Sequence, residues 1–350
     1  MYLAVLPSYR RECIAALLNA NPAVELYCAE AHLNRSVRTG IDPSLYTRTK
    51  LIRFRGKAFL QLGSWRRALR LKNLIVDLNP RSGTAWILLS IRRLLGRRTV
   101  VWGHLHPRAE GKGGTARRTM RRLAHGTVCY TYTQASEARQ EMPEQPVWVA
   151  PNALYRQDQL RPGQTVTDRD AVLYVGRLEE EKRVDLFVDA FAASGLSARG
   201  VRAIVVGYGE KRRALEVQAE LKGVGDSIVF AGQIESPEAL AKLYDQAFCS
   251  VSPGFGGLGI TQSMGFGVPI VITAGIQHSP EIELVEHWPS ATYWARGESA
   301  EFGRALQAAF NDRSNVPRNE VQRDVRLRYS AESMAAGLLD ALRGENEEKG

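Results

Sequence analysis

Residues 248–273 read FCSVSPGFGGLGITQSMGFGVPIVIT. Segment 248–251 is an apolar run with the length of a buried strand. Pro253 follows with Gly254, Gly256, Gly257 and Gly259, and then residues 258–264 carry apolar side chains at helical spacing. Gly265, Gly267 and Pro269 end that helix, and 270–273 is a second buried strand. Strand, glycine loop, helix start and strand is one way in which a parallel sheet offers backbone amides to an anion. Glycines let the main chain approach a ligand that a Cβ would exclude. The helix start adds unsatisfied N–H groups and the positive end of its dipole, worth roughly 0.3–2 kcal/mol to one negative group. The same residues also suit a glycine-rich turn that only closes tightly on the sheet.

The region before this stretch is regular. Strands are expected at 171–176, 202–206 and 227–231, and helices at 184–193, 210–221 and 236–247, with Ser236 as N-cap and Glu238 close behind. This alternation predicts a doubly wound α/β domain. Downstream, helices are expected at 299–310 and 330–342, the second capped by Ser330, with a polar stretch between them and a frayed end at 344–350.

The first half is less clear. A strand at 2–6, stopped by Pro7, a helix at 9–20 and a strand at 24–28 make a β-α-β start. Further strands are expected at 74–78, 99–102, 126–133 and 147–150, with a helix at 84–95. No Gly-x-Gly-x-x-Gly follows the first strand, which counts against a dinucleotide site there. The polar segment 156–170, after a hinge at Pro151-Asn152, is taken as the linker. Its Asp168-x-Asp170 is read as a solvated turn rather than a metal site.

Composition narrows the classes. A chain of 350 residues suits two domains, and 44% hydrophobic with 24% charged residues is ordinary for a globular protein. No run of 18 apolar residues occurs. The start, MYLAVLPSYRRE, has its basic residues after a short apolar run and does not read as a signal peptide. Cys13, Cys28, Cys129 and Cys249 lie in no metal-ligand spacing and read as buried thiols of a reducing cytoplasm.

The charge is uneven. Residues 1–150 hold 25 Lys and Arg against 9 Asp and Glu, a net of +16, and residues 151–350 hold 22 against 28, a net of −6. A basic half suits an anionic membrane face, an anionic acceptor or a nucleic acid. Within 35–72, Arg35, Arg38, Arg48, Lys50, Arg53, Arg55, Lys57, Arg66, Arg67, Arg70 and Lys72 interleave with Phe54, Phe59, Leu60, Leu62, Trp65 and Leu69. Part of this reads as an amphipathic surface helix or loop that could meet lipid headgroups, or else as a basic helix packed on its own domain. Arg117, Arg118, Arg121 and Arg122 give a further basic face at helical spacing.

Four segments taken in order, AVLYVGRLEEEKRVDLFVDAF (171–191), IVVGYGE, IVFAGQIESPEALAKLYDQA and the glycine stretch with GFGVPIV, resemble the retaining nucleotide-sugar glycosyltransferases of family 4. The likeness is strong over about 150–310 and weak over 1–150. It implies a GT-B fold, with two Rossmann-like domains facing across a cleft and a C-terminal helix crossing back to the first. The expected division is 1–155 with 329–345 on the acceptor side, and 156–328 on the donor side. The resemblance makes Arg177 and Lys182 the cations that bind the donor diphosphate and offset its growing charge as the glycosidic bond breaks. Residue type alone also allows Arg177 a surface ion pair with Glu179 or Glu180. Gly207 and Tyr208 would cradle the nucleoside, and amides of Phe255, Gly256, Gly257, Leu258 and Gly259 would hold phosphate or sugar oxygens. His104, on the loop Gly103-His104-Leu105-His106-Pro107-Arg108, would position an acceptor hydroxyl, unless it is an ordinary loop histidine.

The sequence departs from the family where two glutamates are usual. Gly254 and Gln262 stand there. Gln262 could still bind ribose hydroxyls, whereas Gly254 leaves the donor sugar without its carboxylate. His278 and Glu281, after the next strand, are the candidate replacements. The expectation is a metal-independent hexosyltransferase that uses a UDP-, GDP- or dTDP-sugar and needs no cofactor. Its acceptor would be a lipid-linked glycan of a cell-surface polysaccharide, and it would sit at the inner face of the cell membrane as a cytoplasmic, peripheral protein. The alternatives are a catalytically silent nucleotide-sugar or glycan-binding partner, and a nucleic-acid binder, which would leave the C-terminal motifs unexplained.

Overall fold

The six-stranded parallel sheet built from the second half has the order β11-β10-β9-β12-β13-β14. Its strands are β9 (Ala171–Val175), β10 (Arg202–Val206), β11 (Ile228–Gly232), β12 (Ala247–Ser252), β13 (Ile270–Thr273) and β14 (Thr292–Ala295). Helices α6 (Val184–Ser194), α7 (Arg212–Leu221), α8 (Pro237–Gln246), α9 (Leu258–Gly265), α10 (Glu283–His287), α11 (Ser299–Asn311) and α12 (Arg318–Arg328) lie between and after them. The strands are near-continuous apolar runs because both faces are covered. One layer packs Phe187, Phe191, Phe248, Phe302 and Leu306, and the other packs Leu173, Val206, Tyr244 and Phe266.

This computed structural model describes residues 1–33, 37–55, 57–106, 114–161 and 169–345. Arg35, Pro107, Arg108, Asp168 and the expected frayed end beyond residue 345 lie outside them. The chain divides into Tyr155–Tyr329 and a second unit made of Met1–Leu154 together with the segment from Ser330 onward.

The latter unit contains α1 (Arg11–Ala20), β1 (Tyr27–Cys28), β2 (Thr47–Arg48), β3 (Lys50–Phe54), β4 (Ala58–Leu62), α2 (Trp65–Arg70), β5 (Asn73–Asp77), α3 (Gly83–Leu94), β6 (Arg98–Trp102), α4 (Gly114–Leu123), β7 (Gly126–Cys129), α5 (Tyr132–Glu141), β8 (Val147–Val149) and α13 (Ala331–Arg343). Strands β5 to β8 form a parallel sheet in sequence order. Met334, Ala335 and Leu338 of α13 pack with Leu6, Leu17, Trp102 and Trp148, so the last helix completes this unit's core.

Several expectations are corrected. The first strand reduces to Tyr2, bridged to Tyr27 on one side and Val76 on the other. Residues 50–62 are no amphipathic helix: β3 and β4 form an antiparallel hairpin, with Lys50 facing Leu62 and Phe54 facing Ala58. Alternation decides this, since Phe59 and Gln61 are buried while Leu62 points to solvent. Strand β7 stops at Cys129 because Thr131 accepts a hydrogen bond from the Gln134 amide and starts α5. The polar stretch near 320 is the helix α12, whose Val321 and Val325 are buried. Arg121 belongs to no surface: its side chain is buried, donating to Thr127, Glu141 and the Ala138 carbonyl. The four cysteines are free and buried, and burial pushes their thiols above the ordinary range.

Candidate functional site

Strands β10, β9 and β12 are neighbours and parallel, so the loops leaving their carboxyl ends meet. The first loop holds Arg177, Leu178 and the turn Glu180–Lys182. Buried Leu178 fixes it, and the Leu178 amide donates to the Tyr208 carbonyl at 2.8 Å. The second loop can come this close because Gly207 has a φ of +145° and faces the Gly176 carbonyl, where a Cβ would collide. Tyr208 leaves that contact with its side chain 58% exposed, a free aromatic face beside the loop.

The third loop, 253–257, is bound to the first. Phe255 N donates to Glu181 O at 3.1 Å, and Lys182 Nζ donates to Phe255 O at 2.8 Å. A Cβ on Gly254 would lie 2.6 Å from the Lys182 carbonyl carbon. The missing carboxylate is therefore a packing requirement: the space a glutamate would leave through is occupied by the Glu181–Lys182 backbone.

His278 and Glu281 are both hydrogen-bonded within the loop region itself. The His278 Nδ1 accepts from Gly256 N at 3.0 Å, and Nε2 lies 2.7 Å from the Thr273 carbonyl and donates to it. Both ring nitrogens are thereby used, in the neutral form that burial also favours by lowering the pKa. Ser279 N returns a bond to Gly256 O at 2.9 Å, and the Ser279 hydroxyl donates to buried Glu281. The segment after β13 thus braces the loop, with Thr273 Oγ1 donating to Pro253 O at 2.7 Å.

The anion-receiving amides narrow accordingly. Those of Phe255 and Gly256 are spent on Glu181 and His278. Gly257, Leu258 and Gly259 open α9, where a helix leaves its first amides without internal acceptors. Lys182 reaches Phe255 just before this helix start, and Arg177 stands on the same loop after β9. Arg177 is half exposed and pairs with Glu179 at 2.7 Å, as residue type had allowed, and with Glu181 at 3.4 Å, whereas Glu180, the other residue considered, pairs with Lys211. Such exposed pairs are worth about 0–1 kcal/mol.

Gln262 is 7% exposed, and its amide nitrogen donates to Tyr155 Oη at 2.6 Å. Tyr155 escaped the sequence reading; it follows the Pro151-Asn152 hinge and packs on Phe266, a contact no local pattern reports. His104 belongs to the unit that starts at Met1, whereas the loops above belong to Tyr155–Tyr329. Its ring lies 4.6 Å from that of Tyr130. Exposed His106 pairs with Glu137 at 2.7 Å. Among the described residues no cluster of three His, Cys, Asp or Glu side chains could hold a metal ion.

The doubly wound unit thus carries two cations, a helix start and an exposed tyrosine on the loops at its strand ends. The chain belongs to the glycosyl transferases group 1 family, which matches residues 156–338, just over half of it. No curated protein matches it by sequence. Solved structures are similar in fold at low identity. Sucrose-phosphate synthase from Thermosynechococcus elongatus shares 14% identity at a TM-score of 0.63, over 98% of this chain and 99% of that one. Anabaena HepE, solved with UDP-glucose, shares 15% at 0.61, over 98% of each. TarM from S. aureus, solved with UDP, fondaparinux and α-GlcNAc-glycerol, shares 14% at 0.53, over 77% of this chain. This chain spans only 55% of TarM's length. The fold is GT-B, matched over nearly the whole chain.

Proposed function

We propose that this chain is a retaining glycosyltransferase of the family 4 type. It moves a hexosyl group from a UDP-, GDP- or dTDP-sugar to a hydroxyl of a lipid-linked glycan, without metal. The observation that carries the reading is the convergence of Arg177, Lys182 and the Gly257–Gly259 amides on the joined loops after β9 and β12. The donor diphosphate displaces Glu179 and Glu181 from Arg177 and lies against the start of α9. The bond from C1 to the leaving phosphate oxygen breaks as the acceptor oxygen bonds C1 on the same face, and the acceptor proton passes to that phosphate. Arg177 and Lys182 offset the charge that collects on the leaving diphosphate, and preorganised cations act most strongly where charge grows in the transition state. His104 is assigned to the acceptor side.

No helix among the described residues is long and apolar enough to cross a membrane. The basic β3–β4 hairpin, with Phe54 53% exposed beside Arg53 and Arg55, supports peripheral contact with an anionic membrane face, where each basic residue adds about 1 kcal/mol. A catalytically silent partner that binds nucleotide-sugars is the second reading, favoured by the filled space at Gly254 and by Gln262 already occupied by Tyr155.

A thermal-shift panel with UDP, GDP, dTDP, CDP and ADP, without metal, tests the site. One nucleoside diphosphate should stabilise the chain, and Arg177→Ala should abolish the shift. No shift with any of them removes the donor site, and binding without transfer or donor hydrolysis moves the silent reading ahead.

A further inference from the structure

Arg10, at the start of α1, carries a guanidinium buried in an aromatic box. Its Cζ lies 4.3 Å from the Trp102 ring centroid and 5.4 Å from that of Tyr130, and Nη2 donates to Tyr130 Oη at 2.7 Å. Nε is enclosed with no acceptor, and so is the Trp102 indole Nε1. The residue as a whole keeps 7% exposure. Among the described residues its hydrogen-bonded partner is a neutral phenol, not a carboxylate.

Asp77, at the end of β5, is the acid whose charge acts on Arg10, but its Oδ2 accepts the Ala4 amide at 2.5 Å. Burial pushes its carboxyl up to about 6, so it stays mostly ionised at neutral pH and acts on Arg10 through space rather than through a hydrogen bond. A buried guanidinium is costly where its donors go unmet, and here, unlike Arg92 with its ring of carbonyl acceptors, the Arg10 Nε has no acceptor, so an oxyanion would supply a direct partner. The place fits that reading. Asp77 and Trp102 end β5 and β6, Tyr130 follows β7, and His104 lies against Tyr130, so the box lies at the strand carboxyl ends where open α/β sheets bind ligands.

We propose that Arg10 is the recognition residue for an oxyanion, a carboxylate or a phosphate, borne by the acceptor sugar, and that Trp102 and Tyr130 hold its guanidinium in place. The aromatic faces fix the fork by cation–π contact without neutralising it, and the planar donors then meet an oxyanion through charge-assisted hydrogen bonds. This rests on the glycosyltransferase reading and narrows its acceptor to acidic sugars or sugar phosphates.

The test is calorimetry on the full chain saturated with the nucleoside diphosphate that stabilises it, so that the donor site cannot take the probe. Glucuronate, inorganic phosphate and neutral glucose are titrated into the wild type and Arg10→Gln. One of the two anions should bind more tightly than glucose, and Arg10→Gln should weaken it about 10–100-fold while leaving nucleotide binding unchanged. Glucuronate binding assigns a uronic acid, and phosphate binding a phosphorylated sugar. Anions that bind no better than glucose, or equally well to both proteins, overturn the proposal and make the box purely structural. If Arg10→Gln does not fold, Tyr130→Phe keeps the charge and frees one more donor; anion binding must then persist, and its loss overturns the assignment. If no nucleotide binds, the titration is run without one: anion binding that depends on Arg10 keeps this site while the transferase reading fails.

Discussion

Lys182 touches Phe255 twice: its ammonium donates to the Phe255 carbonyl at 2.8 Å and lies 5.1 Å from the centroid of the same residue's ring. One side chain therefore both ties the loop after β9 to the loop after β12 and presents a cation at the start of α9. Lys182→Ala should lower nucleoside-diphosphate affinity and loosen the 253–257 loop together, whereas Arg177→Ala should remove charge alone. Turnover should fall roughly 10²–10³-fold in Arg177→Ala with the melting temperature preserved. Steady-state kinetics beside thermal melts separate the two; near-wild-type turnover in Arg177→Ala would count decisively against the donor site.

Restoring a glutamate at Gly254 should not restore a family-like site. Even Gly254→Ala must push aside the Lys182 backbone, at about 1–3 kcal/mol, and Gly254→Glu should abolish nucleotide binding. Gly257→Ala is the control, since its Cβ would meet only Ser279 Oγ at 3.7 Å, an ordinary contact. Chemical denaturation of the three variants ranks them, and equal stability would refute the packing argument.

The donor loop should be acid-sensitive. His278 has its pKa lowered by burial, and its Nδ1 accepts a hydrogen bond that only the unprotonated nitrogen can make. A histidine with a lowered folded pKa contributes stability that is complete above about 6.5 and is lost as pH falls through the folded value. Nucleotide binding followed from pH 7.5 to 5 should weaken in the wild type. His278→Asn should bind less well at pH 7.5 and show a flatter profile. A wild-type profile as flat as the variant's would exclude His278 as the source.

Arg92 is a buried fastener of the other unit. It donates to Ala68 O at 2.6 Å, Leu71 O at 2.8 Å, Arg98 O at 2.6 Å and Thr99 Oγ1 at 2.8 Å. Burial lowers its pKa to about 10, which leaves it charged at neutral pH. Arg92→Leu strands those carbonyls and should cost about 2–5 kcal/mol by urea denaturation. Exposed Arg93→Leu should change stability by less than about 0.5 kcal/mol.

The doubly wound half was legible because its strands are buried on both faces and its helices carry strong start signals, such as Ser236, which does cap the Ala239 amide. The hairpin at 50–62 was obscured because arginines sit at alternating positions among residues that also fit a helix. Helix α12 was missed because only Val321 and Val325 mark its buried side amid charged neighbours. At the candidate site, Arg177 and Lys182 could be placed from their motif. The bracing role of His278 could not, because it depends on Gly256, 22 positions earlier in the chain. Arg10 and Tyr130, 120 residues apart, meet only through tertiary packing, and neither carries a local signal.

Helix α13 comes after the whole of Tyr155–Tyr329, yet Met334, Ala335 and Leu338 fill the core of the unit that begins at Met1. On a translating ribosome the central unit can therefore finish folding while the first-made one waits, its apolar side open, for the last helix to emerge. Nascent chains stalled before residue 330 should hold a protease-resistant central fragment attached to a sensitive amino-terminal half. The first part synthesised is then the last to close, and chaperone demand during synthesis falls on that half.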